Sequence, residues 1–247
     1  MNSVSAACDK SYDSRFIKIQ DLLTWRPWIG RNYSKQPQGN RLLIVGESHY
    51  IGQVDDPAKI SDVIDGHHKD CSVTREAVIN GFIKRVWDKN HTFSGMRSLL
   101  FPDRSIDQMK FWDDVCFYNF IQRVMSSTAE RPTQNDNTKG WKAFLKVVEI
   151  LQPSQCLFIG VGASNHFNRV MRQQETVPFT NATKPDRVGK TWGRHATLEV
   201  SGVTLPIHFI KHSGMCFKPD RWRAYLERQA PDLMRIISNP SYKLSFL

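Results

Sequence analysis

The chain has 247 residues, of which 40% are hydrophobic and 23% charged, which is typical of a globular protein and excludes disordered or fibrous classes. It carries 34 Lys and Arg against 24 Asp and Glu, a formal net charge of +10, which favours an anionic partner such as nucleic acid. No apolar run approaches the roughly 20 residues that span a bilayer, and the N-terminus lacks the apolar core of a signal peptide, so we expect a cytoplasmic protein with no membrane partner.

The first part of the chain predicts one helix and a loop. Residues 1–13 show no periodic pattern and predict a loose tail. Apolar residues at helical spacing predict a helix over 16–28, and the polar stretch 32–40 predicts a loop. We therefore separate residues 1–40 from the domain that follows.

Wholly apolar runs predict strands buried on both faces of a parallel sheet. The run over 42–45 is wholly apolar, and similar buried-strand patterns cover 115–120 and 155–160. Residues 191–200 and 203–210 predict two further strands joined at Ser201-Gly202. Helical patterns lie between them, over 74–87, 91–101 and 141–151, after Gly162 and from Pro219. Strands that alternate with helices predict a parallel, three-layer α/β/α domain. It covers 41–230, with an insertion over 51–91 and a C-terminal tail over 231–247.

The cysteines do not predict a disulfide framework. They are Cys8, Cys71, Cys116, Cys156 and Cys216. No CxxC pair occurs and the number is odd, which is typical of a reducing compartment. Cys116 and Cys156 lie in apolar runs and are predicted to be buried.

A group of possible metal ligands lies in and just beyond the insertion. It consists of His67, His68, Asp70, Cys71 and His91. The spacings of known zinc motifs are absent, so we predict no metal and no cofactor.

Polar side chains follow three of the predicted strands at the point where each ends. Glu47, Ser48, His49 and Tyr50 follow the first, Asn119 ends the second, and Lys211, His212 and Ser213 follow the last. Parallel strands place their carboxyl ends at one edge, so we expect these groups to converge. Each alone has a structural explanation, such as a cap, a turn or a buried histidine. The prediction of a site depends on their joint occurrence.

Several of these stretches, in this order, resemble motifs of the uracil-DNA glycosylase superfamily. Residues 46–50, Gly-Glu-Ser-His-Tyr, are similar to its first motif, which begins Gly-Gln-Asp-Pro-Tyr in one branch and Gly-Glu-Ala-Pro-Gly in the iron–sulphur branch. Residues 92–100 resemble the segment whose Phe stacks on the base, here Phe93. Residues 117–120 resemble the strand whose Asn reads the base edge, here Asn119. Residues 211–213 resemble His-Pro-Ser, whose His faces the base carbonyl and is here His212.

The resemblance implies a fold and an activity. It covers about residues 41–228, including Arg131-Pro132 and 151–162, which are similar to two intervening stretches. The implied fold is a three-layer α/β/α domain with a central, mainly parallel four-stranded sheet. The implied activity is a DNA glycosylase that excises a damaged or modified base. The insertion is longer than this interval usually is in the family, which suggests a bulky base, such as one in phage DNA.

Departures from the family motifs change which residues carry the chemistry. Ser48 stands where one branch has its catalytic Asp, so similarity to the Gly-Glu branch implies Glu47 as the catalytic carboxylate. His49 replaces the usual Pro, and Gly214 stands where an intercalating apolar residue is expected. The cysteines of the iron–sulphur branch are absent, so no cluster is implied.

The residue types also fit base excision on chemical grounds. An enzyme that acts on a base must take it out of the stack. Tyr50 and Phe93 are candidates to sandwich that base, and Asn119 can offer a donor and an acceptor to its edge. Ser48 and His49 are further candidates for contacts with the base.

Charge stabilisation and backbone contacts complete the predicted site. His212, or Lys211, would stabilise negative charge on the departing base, and Glu47 would orient or deprotonate the attacking water. Predicted contacts to the DNA backbone are made by Lys190, Arg194, Lys211, Ser213 and Lys218.

Two other functions remain open at this stage. A serine hydrolase would use Ser48 as its nucleophile, with His212 or His208 as base, although Tyr50 replaces the final Gly of the Gly-x-Ser-x-Gly motif. A non-catalytic protein would bind nucleic acid on the same fold. The partner we expect is DNA, and we expect a monomer.

Overall fold

The computed structural model describes residues 7–52, 56–103, 105–127, 129–174 and 176–244. Residues 1–6 of the predicted tail, 53–55 of the predicted insertion and 245–247 of the predicted C-terminal tail lie outside the described residues. The described chain forms a mixed α/β structure around a seven-stranded sheet.

The strands are numbered here in chain order. They are β1 (Trp28–Ile29), β2 (Leu42–Gly46), β3 (His49–Tyr50), β4 (Cys116–Asn119), β5 (Val124–Met125), β6 (Gln155–Ile159), β7 (Phe179–Thr183), β8 (Arg187–Val188), β9 (Thr191–Trp192), β10 (Arg194–Val200) and β11 (Val203–Ile210).

The central sheet has the strand order β1-β4-β2-β6-β11-β10-β7. Strands β4, β2, β6 and β11 run parallel, which confirms the predicted parallel arrangement. The predicted number of four strands is wrong, because three more strands extend the sheet through antiparallel pairing: β1 beside β4, β10 beside β11, and β7 beside β10. Two small pairs lie outside it, parallel β3–β5 and antiparallel β8–β9.

The helices are likewise numbered in chain order. They are α1 (Asp13–Ile17), α2 (Ile60–Lys69), α3 (Val73–Ala77), α4 (His91–Leu100), α5 (Gln108–Asp114), α6 (Gln134–Leu151), α7 (Ser164–Met171), α8 (Pro219–Gln229) and α9 (Pro231–Ile237). Helix α3 continues into a π-helical turn over Val78–Ile83. Short 3-10 turns cover Tyr33–Lys35, Gln38–Asn40, Pro57–Lys59 and Pro240–Tyr242.

Helix α6 begins and ends at residues that satisfy its free backbone groups. Thr133 and Asp136 form a reciprocal capping box at its start, and Gln152 adopts a left-handed conformation with a φ of 48° at its end. Such a box satisfies two amides that would otherwise lack partners. This explains why the helix starts seven residues before Trp141, where its apolar stripe becomes clear.

Side chains of β2 alternate between two cores, one on each face of the sheet. Leu43 and Val45 pack with residues of α6 and α7, and we call this side the α6 face. Leu42 and Ile44 pack with residues of α4, α5, α8 and α9, and we call this side the α8 face. All five residues of β2 are buried, as a strand covered on both faces requires.

Both ends of the chain differ from the prediction. The helix predicted over 16–28 is limited to α1, and Trp28 instead pairs with Phe117 in the sheet. The tail predicted over 231–247 is wrong for α9, where Leu233 and Ile237 are buried on the α8 face. In the described part of the chain, no helix is long and apolar enough to cross a membrane.

Candidate active site at the carboxyl edge of the sheet

The carboxyl ends of the four parallel strands are level with one another. Gly46 at the end of β2 pairs with Asn119 at the end of β4, and Ile159 at the end of β6 pairs with Ile210 at the end of β11. Groups that follow these strands therefore share one edge, which is where open α/β sheets place their ligand sites.

The Glu47 side chain lies over two glycines that follow β6. A methyl group on Gly162 would lie 3.3 Å from Glu47 Oε1, and one on Gly160 would lie 3.6 Å from it. Gly160 also has a φ of 151°, a conformation that other residues rarely adopt. Glycine at 162 leaves room for the carboxylate, and glycine at 160 allows the backbone conformation of the turn.

A cavity of about 200 Å³ opens beside Glu47. Its apolar floor comes from Phe120 and Phe158, which also belong to the core of the α6 face. Its polar lining comes from Arg131, Asn137, Asn165 and His166. It is smaller than the roughly 300–1,000 Å³ of sites for drug-sized ligands, so it suits one small polar group.

His212 follows β11 and lies within the electrostatic influence of the Glu47 carboxylate. Burial lowers the pKa of His212, the Glu47 carboxylate opposes that shift, and Arg131 adds to it. The backbone N–H of Gly214 donates to His212 Nδ1 at 3.2 Å, so Nε2 carries the proton of the neutral ring. The ring therefore offers a neutral N–H donor close to a carboxylate.

Asn119 lies on the α8 face of the edge. Its Oδ1 would be 2.1 Å from a methyl group on Gly46, and the ring of Phe117 would be 3.1 Å from the same group. Asn119 is 8% exposed. Glycine at the end of β2 is thus needed for the Asn119 side chain to occupy this position.

Phe93 lies on the same face, at the start of α4. Its ring packs edge-on against Phe82, with 4.9 Å between ring centroids, and lies 5.2 Å from that of Trp87. The Ser213 hydroxyl donates to the backbone carbonyl of Thr92 at 2.8 Å, which ties the start of α4 to the loop that carries His212. Phe93 and Asn119 border the site from the α8 face and do not line the cavity beside Glu47.

The position of His49 corrects the prediction that it contacts a base. Its Nε2 bonds to Thr74 Oγ1 at 2.9 Å, and its ring packs edge-on against Trp25 at 4.7 Å. Burial, with a smaller effect of His67, lowers its pKa to about 3. His49 is a neutral, structural histidine. Tyr50, the next residue, packs against the core of the α6 face.

Ser48 lacks the partners of a serine nucleophile. Its Oγ is buried, and no hydrogen-bond partner for it is found among the described residues. The element after Gly46 is the short strand β3, whereas a nucleophile elbow leads into a helix. Among the described residues, neither His212 nor His208 is hydrogen-bonded to this hydroxyl.

The five residues predicted to contact a DNA backbone differ in how exposed their side chains are. Lys190 and Lys218 are exposed, and Lys211 Nζ donates to the Cys216 carbonyl at 3.1 Å. Arg194 is half-buried at the start of β10, and burial lowers its pKa. Ser213 is 0% exposed, so the prediction that it contacts phosphate is corrected.

The predicted group of possible metal ligands is dispersed. The His67 carbonyl accepts from Trp25 Nε1 at 2.8 Å, and the His68 ring stacks on Trp25. Among the residues that the structure describes, no three His, Cys, Asp or Glu side chains are grouped so that they could hold a metal ion. The cysteines are free, and the predicted burial of Cys116 and Cys156 is confirmed.

Sequence patterns alone did not identify several residues of the site. Arg131 lines the cavity and helps to lower the pKa of His212, and its Arg-Pro pair is the signal that the sequence offers for it. Asn165 and His166 follow the Gly160-Val161-Gly162 turn, and that pair of glycines was the available signal. Comparison with known protein families and with curated proteins gave no match to this chain. The geometry of the site therefore carries the functional proposal.

Proposed function

We propose that this protein is a DNA glycosylase that hydrolyses the N-glycosidic bond of a flipped-out, damaged or modified base, on a three-layer fold like that of the uracil-DNA glycosylase superfamily. The observation that carries the proposal is that Glu47 and His212 follow β2 and β11, the two parallel strands that flank β6, at one edge of the sheet. They follow different strands, 165 residues apart by their numbers, yet share one edge. A carboxylate and a neutral N–H donor are the two groups that glycosidic hydrolysis requires.

The reaction follows from these two groups. The bond between C1′ of the sugar and the base nitrogen breaks, and its electron pair goes to the base. His212 Nε2–H donates to the base oxygen on which negative charge develops. Glu47 orients a water molecule that adds to C1′, and the Glu47 carboxylate takes a proton from that water. The base leaves as an anion that solvent protonates, and an abasic sugar remains.

The surroundings support a base as the substrate. Asn119 offers donor and acceptor groups at the same edge, and the polar cavity beside Glu47 has room for a substituent on a modified base. The net charge of +10 and the exposed Lys190 and Lys218 favour a polyanion. The buried Oγ of Ser48, for which the described part of the chain supplies no hydrogen-bond partner, makes a serine hydrolase the weaker candidate.

Abasic-site formation tests the proposal. Wild type and His212→Ala are incubated with oligonucleotides that carry uracil, deaminated, alkylated or phage-type modified bases. We expect wild type to leave abasic sites on at least one substrate, and His212→Ala to lose about 100-fold to 1,000-fold of that rate. Tight DNA binding without any abasic site would instead identify a non-catalytic binder.

A further inference from the structure

Trp87 is a large aromatic ring held at the protein surface close to the candidate site. It is 40% exposed, and of the seven tryptophans only Trp192, at 39%, is comparably exposed. Val86 beside it is 65% exposed. Tryptophan is enriched at interfaces, because its ring buries a large apolar area when a partner covers it.

The segment 84–90, which we call the Trp87 loop, is fixed in place. The Asp88 carboxylate pairs at 2.6 Å with Arg97, whose side chain is 8% exposed. The backbone N–H of Val86 donates to the Asn80 carbonyl at 2.7 Å. The exposure of Trp87 is therefore a property of the loop's own hydrogen bonds and ion pair.

Trp87 is the outermost member of an aromatic row that leads from the core to the site. Ring centroids are 4.8 Å apart from Trp112 to Phe82, 4.9 Å from Phe82 to Phe93, and 5.2 Å from Phe93 to Trp87. The residue before Phe93 accepts the hydrogen bond from Ser213. The aromatic row thus packs against the Trp87 ring on its protein side, and the Ser213–Thr92 hydrogen bond connects the row to the loop that carries His212.

Basic side chains flank Trp87 along the loop. Lys84, Arg85 and Lys89 are all exposed. The acidic residue of this segment, Asp88, lies 2.6 Å from Arg97 and 3.7 Å from Arg85, which leaves Lys84 and Lys89 as the cations that do not pair with it. Aromatic rings interleaved with cations are typical of surfaces that bind unpaired nucleic acid strands, because bases stack on the rings while cations contact phosphates.

We propose that Trp87 stacks on an unpaired nucleobase next to the excised one, so that the substrate is single-stranded or locally opened DNA. This inference rests on the proposed function, which puts the excised base at the neighbouring edge of the sheet. A base inside a duplex has both faces covered by its neighbours and cannot offer one to Trp87. The platform therefore selects for an unpaired strand.

Tryptophan fluorescence tests the stacking directly. In a Trp192→Phe background, Trp87 is the one exposed tryptophan, since the other five are buried. We expect a short oligo-dT strand to quench its emission, and the same sequence in a duplex to quench it much less. Trp87→Leu should remove the quench and weaken strand binding by about 5-fold to 150-fold, which corresponds to roughly 1–3 kcal/mol for one stacked base.

Control variants separate stacking from folding and from catalysis. Ile17→Ala removes another exposed apolar side chain, 49% exposed on α1, and should leave strand binding unchanged. Circular dichroism should show that every variant is folded. An unchanged Kd for folded Trp87→Leu, equal quenching by strand and duplex, or a Trp87 signal that depends on protein concentration alone would overturn the inference. If wild type releases no base while the quench is found, only the proposed function fails. If base is released and Trp87→Leu binds normally, only the stacking fails.

Discussion

Acid should destabilise this protein through two buried histidines. His49 is 8% exposed and His208 is 4% exposed. Burial lowers the pKa of each to about 3, with smaller contributions from His67 and His195, respectively. Both side chains are therefore neutral in the folded protein throughout the physiological range.

The size of the effect follows from proton linkage. An unfolded histidine has a pKa of about 6.5, so the unfolded chain binds protons that the folded chain cannot accept. The stabilisation is complete above about pH 6.5 and is lost progressively as the pH falls towards about 3. Between about pH 7.5 and about pH 5, each histidine removes about 2 kcal/mol from the free energy of unfolding, or about 4 kcal/mol together.

Urea unfolding at the two pH values measures this loss. The free energy of unfolding should drop between about pH 7.5 and about pH 5 by about 2 kcal/mol less in His208→Gln than in wild type, and likewise in His49→Gln. His91→Gln, at an exposed position at the start of α4, serves as the control and should behave as wild type. Equal losses in wild type and His208→Gln would refute the reasoning, because they would show that the buried ring takes up protons freely.

Two further predictions concern packing that supports the site. Arg75 is 3% exposed and pairs with Asp13, which also pairs with Arg26 at 3.1 Å. Arg75→Met should leave this carboxylate with Arg26 alone and lower the free energy of unfolding by about 1.5–3 kcal/mol. Urea unfolding is the measurement, and no change is the contrary result. Gly46→Ala would bring a methyl group to 2.1 Å from Asn119 Oδ1, which should displace that side chain, reduce base excision and cost about 1–3 kcal/mol of stability. Gly39→Ala, where a methyl group would meet nothing within 4 Å, is the matched control, and similar behaviour of the two variants would contradict the assigned role of Gly46.

The parallel core of the fold could be predicted because its strands are short stretches of mostly apolar residues. The run over 42–45 matches β2, and that over 155–160 matches β6. Strand β1 could not be predicted in the same way, since two residues show no periodicity. Helix α9 had a usable signal that was missed: Pro231 at its first position and apolar residues at helical spacing.

The candidate site was predictable only in part. Parallel topology brings the strand ends of Glu47 and His212 to one edge, and that followed from the pattern of strands. The environment of His49 did not, because Trp25 and Thr74 come from distant parts of the chain. The burial of Ser213 depends likewise on a hydrogen bond to the start of α4.

Release of free base by Glu47→Gln and Ser48→Ala, compared with wild type on a substrate that wild type cleaves, tests the central claim most directly. The account predicts that Glu47→Gln loses about 100-fold to 10,000-fold of the rate. It predicts that Ser48→Ala, which removes a hydroxyl without a hydrogen-bond partner among the described residues, keeps a rate within about tenfold of wild type. Full activity in Glu47→Gln together with loss of activity in Ser48→Ala would contradict it.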